Sequence, residues 1–408
     1  MNIKYFSKIV IAQILNVAFP FAFVYLVLRE SNTSTFAELE GILVLGYFGY
    51  LFVEFSFKVI SPTIFKARKL TNERLSGFMS NLVVVRVLVA IVANLIVIGL
   101  VYFVNISNVS NYAFIHLFIT AAIIDVSWLY LLKDRFHVVI IAALFKNATF
   151  LLSLLLLDQE VMIDYYIPIL ALIAVLQNFI LMRVNSLFIS LGRINWKKIV
   201  FLYKKSWRAS VSDLSIAVYT YLDVYIAILL LPLVESGVYI FIRKMVKGLN
   251  GIIGQLPKIF LRTKYYKNTN NINNSSAGRY LYLGMAISFF VCFLLFYEYV
   301  AITVFNLSDP SNIMHIVAMI ASITLLIGPL QNYILQYNLL PESPHFYLVS
   351  YLIGSSFFYI VIFLLYYEES LSTYNFMLTR VLVDVVILLT AVFFISRLNT
   401  NSQFRLRK

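Results

Sequence analysis

Arg243, Lys244 and Lys247 stand within little more than one helical turn of each other in an otherwise apolar run, Ser236-Gly-Val-Tyr-Ile-Phe-Ile-Arg-Lys-Met-Val-Lys-Gly. At about 100° per residue their side chains fall within about a quarter of the helix circumference. Each cation facing hydrocarbon would cost roughly 2.5–3.5 kcal/mol on insertion scales, so three on one side predict a shared water-filled cavity. A cationic cavity selects an anionic ligand. Gly248, Gly251 and Gly254 continue nearly the same side, followed by Pro257. Lys146 and Arg86, each inside another apolar stretch, are further candidates for the same anion-binding lining.

Glu54, Asp125 and Asp223 are carboxylates inside apolar stretches, as is Asp384. Each of the first three is a candidate for ion coupling or gating, and each can equally neutralise a neighbouring lysine. Arg86 and Glu54 also lie within snorkelling reach of an interface. Arg380 and Asp384, four apart, are expected to form a structural ion pair along one helix face. A polar stripe of Ser212, Asp213, Ser215, Tyr219, Thr220 and Asp223 suits hydrogen bonds between helices or contact with substrate. No catalytic constellation emerges. His116, His137, His315 and His345 are dispersed without metal-ligand spacing. There is no G-x-x-x-x-G-K-[ST] phosphate loop. The single cysteine, Cys292, excludes a disulfide framework and a Cys-based metal site. The sequence therefore predicts a non-enzyme with no metal and no cofactor.

The elements that must position these charges are membrane helices. Hydrophobic residues make up 61% of the 408 and charged residues 12%, with a mean hydropathy of +0.87, far from the usage of a soluble domain. About twelve apolar segments are each close to the length that crosses a bilayer. They span 9–28, 41–60, 82–104, 112–132, 138–157, 165–190, 210–231, 237–260, 280–300, 312–335, 347–367 and 374–396. The first follows basic residues but has no small-residue cleavage site after it, so it reads as a retained helix. The fold expected is an all-α polytopic membrane protein of about 12 transmembrane helices, in two six-helix bundles around a central cavity.

Charge sorts the connections. One alternate set carries Lys66, Arg68, Lys69 and Arg74, then Lys133 and Arg135, then Arg262, Lys264 and Lys267, and finally Arg405, Arg407 and Lys408. The other carries Glu30, Glu38, Glu40, Asp158, Glu160, Glu235, Asp309, Glu368 and Glu369, with Arg29 its clear cation. Because cytoplasmic loops hold the excess of Lys and Arg, both termini are expected inside. The formal net charge of +13 is then sidedness plus attraction to membrane lipid headgroups, and no nucleic acid is implied. In the inside connection 191–209, Trp196, Ile199, Val200, Tyr203 and Trp207 recur at helical spacing opposite Lys197, Lys198, Lys204, Lys205 and Arg208, which predicts an interfacial helix. It divides the chain into an amino-terminal bundle (1–190), a basic amphipathic linker (191–209) and a carboxy-terminal bundle (210–408).

With the residues laid out this way, the chain resembles the O-antigen flippases of the polysaccharide-transport branch of the multidrug/oligosaccharidyl-lipid/polysaccharide exporter superfamily. The resemblance is carried by Pro20, Arg29 and Phe36-Ala37 around the first two segments, by Glu54-Phe55-Ser56-Phe57, and by Arg86 in the third. It continues through Trp128-Leu129-Tyr130 before Lys133-Asp134, Phe145-Lys146-Asn147, and Gly237-Val238-Tyr239 with Lys244 and Pro257. Asn32, Ala37 and Ser56 stand where the family usually has glycine. The resemblance implies translocation of an undecaprenyl-diphosphate-linked oligosaccharide from the inner to the outer leaflet of a bacterial inner membrane. Arg243, Lys244, Lys247, Lys146 and Arg86 would attract the diphosphate or acidic sugars, with Asp125, Asp223, Glu54 and Arg29 coupling to H+ or Na+ or gating. A polymerase and a chain-length regulator of the same pathway are the protein partners it implies.

Three alternatives stay open. A multidrug exporter shares the superfamily, but its cationic substrates suit a carboxylate-lined cavity. A major facilitator has a Gly-x-x-x-Asp-Arg loop that is missing from residues 61–81. A membrane glycan polymerase usually has a large outer loop, whereas the outer connections here are all short.

Overall fold

In the computed structural model of the chain, residues 21–29, 32–54, 72–102, 109–132, 136–157, 159–185, 189, 192, 194–266, 276–300, 302, 312–335 and 344–406 are described. All the regular structure among them is helical: α1 (21–29), α2 (Thr33–Glu54), α3 (Asn72–Tyr102), α4 (Val109–Ala121), α5 (Ser127–Leu132), α6 (Phe136–Leu155), α7 (Gln159–Val184), α8 (Trp196–Leu230), α9 (Leu233–Tyr266), α10 (Ser276–Tyr299), α11 (Asn312–Tyr333), α12 (Pro344–Tyr367) and α13 (Thr373–Leu406). A short 3₁₀ turn, Ala122–Ile124, follows α4. Each sequence segment overlaps one helix or helical run. Residues 9–20 of the first, with Pro20, Phe55–Phe57 and Lys133–Asp134, lie outside the described residues. Eight of the described helices or runs are long and apolar enough to cross a membrane, and Ile141–Leu155 and Ala286–Tyr299 are shorter apolar helices. The chain thus has the expected all-α, polytopic membrane fold. Along α3, Leu88, Ile91, Leu95 and Ile98 form an exposed apolar face, which only hydrocarbon would solvate favourably.

Local chemistry sets the helix ends. Asn32 caps α2, its side-chain oxygen accepting from the Thr35 backbone N–H at 2.9 Å. Asn195 caps α8 by accepting from Lys198 N–H at 3.3 Å, and its own N–H donates to Asn81 Oδ1 of α3 at 2.7 Å. From that cap α8 runs 35 residues without interruption, because no Gly or Pro falls between Trp196 and Pro232. Residues 196–209 of the basic stretch are the first part of that helix. After α12, Glu369 takes a left-handed conformation with φ 55°, and Ser370 N–H donates to Leu365 O at 3.0 Å. Such a terminus usually holds glycine.

The chain packs as two compact units, Glu38–Leu229 and Met1–Ala37 with Leu230–Lys408. The boundary before α9 falls beside Pro232, where the long helix ends. In the first unit α4 packs on α7, α6 on α7, and α3 on α4 and its 3₁₀ turn. Leu75, Met79, Leu82, Val85 and Val89 form the buried stripe of α3, against Val126, Trp128, Leu129 and Tyr130 and, from α7, Leu181 and Met182. Close approach of α2 to α4 depends on Gly46 and Gly49: a Cβ on Gly49 would lie 2.6 Å from Ile119 Cδ1. In the second unit α11 packs on α9, α10 and α13, and α13 on α12.

Candidate functional site

The fourth span, Tyr112–Tyr130, is broken inside the first unit. α4 tightens into the 3₁₀ turn, and Asp125 follows with extended angles, φ −66° and ψ 119°. Breaking a helix frees backbone carbonyls that hydrocarbon cannot satisfy. Arg86, 0% exposed on the buried stripe of α3, satisfies them. Its Nη1 donates to Asp125 O at 2.6 Å and to Ile123 O at 3.3 Å. Its Nη2 donates at 3.5 Å to the carbonyl of Glu54, the last residue of α2. A guanidinium suits this place, since it carries five donors in a fork and a positive charge toward two helix C-terminal ends. Asn178 of α7 donates to a further carbonyl of the break, Ala121 O, at 2.8 Å.

Beside this break lies a cavity of about 270 Å³. α2 supplies Tyr47, Tyr50, Leu51 and Glu54, at spacings of three and four that place them on one helix face. α7 supplies Ala174, Gln177, Asn178 and Leu181 by the same rule, while Lys146 comes from α6, Phe118 from α4 and Tyr221 from α8. Asp125 and Ser127 enter from the break. The aromatic members are grouped: the Tyr47 ring stacks on Tyr221 at 6.1 Å and meets Phe118 edge-on at 5.4 Å. The polar members form a chain, in which Asn178 Nδ2 donates to the Tyr50 hydroxyl at 3.2 Å and that hydroxyl donates to Asp125 Oδ2 at 3.2 Å. The other carboxylate oxygen of Asp125 accepts from Ser127 N–H at 2.7 Å, starting α5. The Ser127 hydroxyl is buried and has no hydrogen-bond partner among the described residues.

Glu54, Asp125 and Lys146, singled out separately in the sequence, thus share one cavity wall, with Arg86 behind it on the main chain of both carboxylates. Two carboxylates, one ammonium and one guanidinium sum formally to zero. Asp223 is 0% exposed on α8 and does not line this cavity, although Tyr221 does. The described side-chain bonds of Ser215 and Thr220 return to carbonyls one turn back in their own helix. Tyr47, Tyr50, Phe118, Gln177, Asn178 and Ser127 escaped the sequence reading. The signal that could have found the first two is the Tyr47, Tyr50, Glu54 spacing together with α2's two close-packed glycines.

Arg243, Lys244 and Lys247 belong to the other unit. At the start of α9 a Cβ on Gly237 would lie 2.4 Å from Thr33 O, so only glycine lets α9 approach the α2 terminus this closely. Tyr239 is buried edge-on to Phe376 at 5.0 Å, and Glu235 accepts a hydrogen bond from Thr373 Oγ1. Ile240, Phe241, Ile242, Met245 and Val246 are buried. From Arg243 onward one face opens: Arg243 and Lys244 are half-buried and Lys247 is exposed. Lys244 Nζ lies 5.9 Å from the Phe23 ring centre and 5.7 Å from that of Phe36, a double cation–π seat. Arg29 lies at the end of α1, its Nη1 donating to the Tyr25 hydroxyl at 3.4 Å. Arg380 and Asp384 pair at 3.1 Å along α13.

The chain matches no family model, and no curated sequence is similar enough to be matched. Its fold is shared by solved structures, two of which are the following. One is the inward-facing conformation of a multidrug resistance MATE family transporter of the MOP superfamily, with a TM-score of 0.60 and 12% identity, covering 96% of each chain. The other is a MATE protein in complex with MaL6, with a TM-score of 0.56 and 10% identity over 96% of this chain and 95% of that one. The fold is therefore that of MATE transporters, over nearly the full length.

Proposed function

We propose that the protein is a membrane transporter of the inner membrane that moves an undecaprenyl-diphosphate-linked oligosaccharide from the inner to the outer leaflet, by ion-coupled alternating access. The observation that carries this reading is the open face of α9, where Arg243, Lys244 and Lys247 are gathered at the point where burial of the helix gives way. Cations in that arrangement suit the diphosphate, while the polyprenyl tail stays in the bilayer. Glu54, Asp125 and Asp223 are the groups that would exchange H+ or Na+ with it, and a polymerase acting on the delivered unit is the expected next partner. The full-length match to the fold of MOP-superfamily transporters supports a transport role.

A second reading, export of organic cations, is favoured by the aromatic rings and the two carboxylates of the cavity in the first unit. Lys146 in the same wall and Arg86 behind it weigh against it. The deciding experiment compares a strain lacking the gene with its complemented parent, by glycan gel and mass spectrometry of undecaprenyl-linked intermediates. Loss of the surface glycan with single lipid-linked units accumulating is expected. An unchanged glycan ladder with gained sensitivity to cationic drugs would replace this reading with the second.

A further inference from the structure

The cavity between α2, α4, α6, α7 and α8 differs in character from the cationic face of α9. At about 270 Å³ it lies just below the range of drug-sized sites, roughly 300–1,000 Å³, and suits a single six-membered ring with its substituents. Its charges compensate one another: Glu54 and Asp125 against Lys146 in the wall and Arg86 behind. A diphosphate entering it would meet two carboxylates at close range, and an organic cation would meet the lysine. Either ionic ligand carries a charge for which the wall has no net counterpart.

A neutral ligand rich in hydroxyl groups meets neither difficulty. The carboxylates accept from hydroxyls, the lysine donates to them, Gln177 does both, and the Asn178 amide oxygen accepts while its NH2 stays with Tyr50 and Ala121. The buried Ser127 hydroxyl, without a described partner, gives one more group for such a ligand to complete. On the other side the grouped rings of Tyr47, Tyr221 and Phe118 offer an apolar surface. A sugar ring has this same division, an apolar C–H face and a polar rim. Arg86 keeps the two carboxylates in place by holding their main chain, so the polar side is set before any ligand arrives.

We propose that this cavity holds one neutral sugar residue of the lipid-linked oligosaccharide, with the ring group of Tyr47, Tyr221 and Phe118 against its C–H face and Asp125, Gln177 and Asn178 binding its hydroxyls. The inference rests on the flippase reading, within which this cavity reads the sugar.

The test uses the full-length protein in nanodiscs. Saturation-transfer NMR is recorded with the free oligosaccharide repeat unit released from the source strain's surface glycan, alongside titrations with undecaprenyl diphosphate and with tetraphenylphosphonium. Saturation concentrated on one sugar ring is expected for the unmodified protein. It should fall at least tenfold in Tyr47→Ala and in Asp125→Asn, with undecaprenyl diphosphate affinity unchanged. Gln177→Leu, which keeps volume, serves where Tyr47→Ala fails to fold, with the same loss expected. Full saturation in the variants would overturn the proposal, as would tetraphenylphosphonium binding that disappears in Tyr47→Ala. Binding of undecaprenyl diphosphate without saccharide sinks the sugar site while leaving the flippase reading intact. Binding of neither, with an unchanged glycan in the deletion strain, removes both.

Discussion

Arg86 Nη1 lies 2.6 Å from the main-chain oxygen of Asp125, 39 residues further along the chain. A buried cation is here used to close a break in a membrane helix, and the residue whose carbonyl it holds is the one that brings a carboxylate into the cavity. Replacing Arg86 by Met would leave the carbonyls of Ile123, Asp125 and Glu54 without this donor and remove the charge that offsets two carboxylates. A loss of about 3 kcal/mol is expected, read as a lowered melting temperature in detergent. Arg86→Lys restores the charge but not the fork, so its melting temperature should fall between the two. A Met variant as stable as the parent would show that the break is held by other means.

Gly237 and Gly99 make a matched pair. A methyl on Gly237 would collide with a backbone oxygen, Thr33 O at 2.4 Å, whereas one on Gly99 meets nothing within 4 Å. Gly237→Ala should destabilise by about 2 kcal/mol. Gly99→Ala should stabilise α3 by ~0.5–1 kcal/mol. Thermal unfolding of the two variants side by side checks both signs.

Arg243→Ala combined with Lys247→Ala should abolish glycan delivery while the protein stays in the membrane at parental level, measured by immunoblot and by accumulation of lipid-linked units. Lys244 is left in place because its seat against Phe23 and Phe36 gives it a packing role that a double variant without it avoids. Normal delivery by the double variant would remove the α9 cations from the transport path.

Arg380 and Asp384 should behave as a buried pair. Asp384→Leu alone takes the carboxylate from the guanidinium and is expected to cost about 3 kcal/mol, whereas Arg380→Met together with Asp384→Leu should return most of that loss. A double-mutant cycle by thermal unfolding measures the coupling. Additive losses would mean that the two side chains act separately.

Much of this architecture was legible in the sequence, and unevenly so. Apolar segments of about twenty residues mark membrane helices with little ambiguity, since hydrocarbon tolerates few alternatives. The cations of α9 were visible for the same reason, as violations of that rule. The break after Ala121 was not, because Ala121-Ala-Ile-Ile-Asp-Val contains neither Gly nor Pro; it is maintained from another helix, by Arg86. The continuity of 196–209 with the following span turns on the absence of a breaker, which an amphipathic pattern alone does not weigh. The cavity escaped because the sequence presents Glu54, Asp125 and Lys146 one at a time, and only the packing of α2, α6 and α7 turns them into one wall with compensating charge.

The unbroken length of α8 has a mechanical consequence. At 1.5 Å per residue its 35 residues form a rod of about 50 Å, with no hinge between Lys197 at one end and Tyr221 near the other. Tilting the apolar end by some ten degrees would sweep the basic end through roughly 9 Å. The end that carries Lys197 and Lys198 therefore cannot stay still while the far end of the same helix turns.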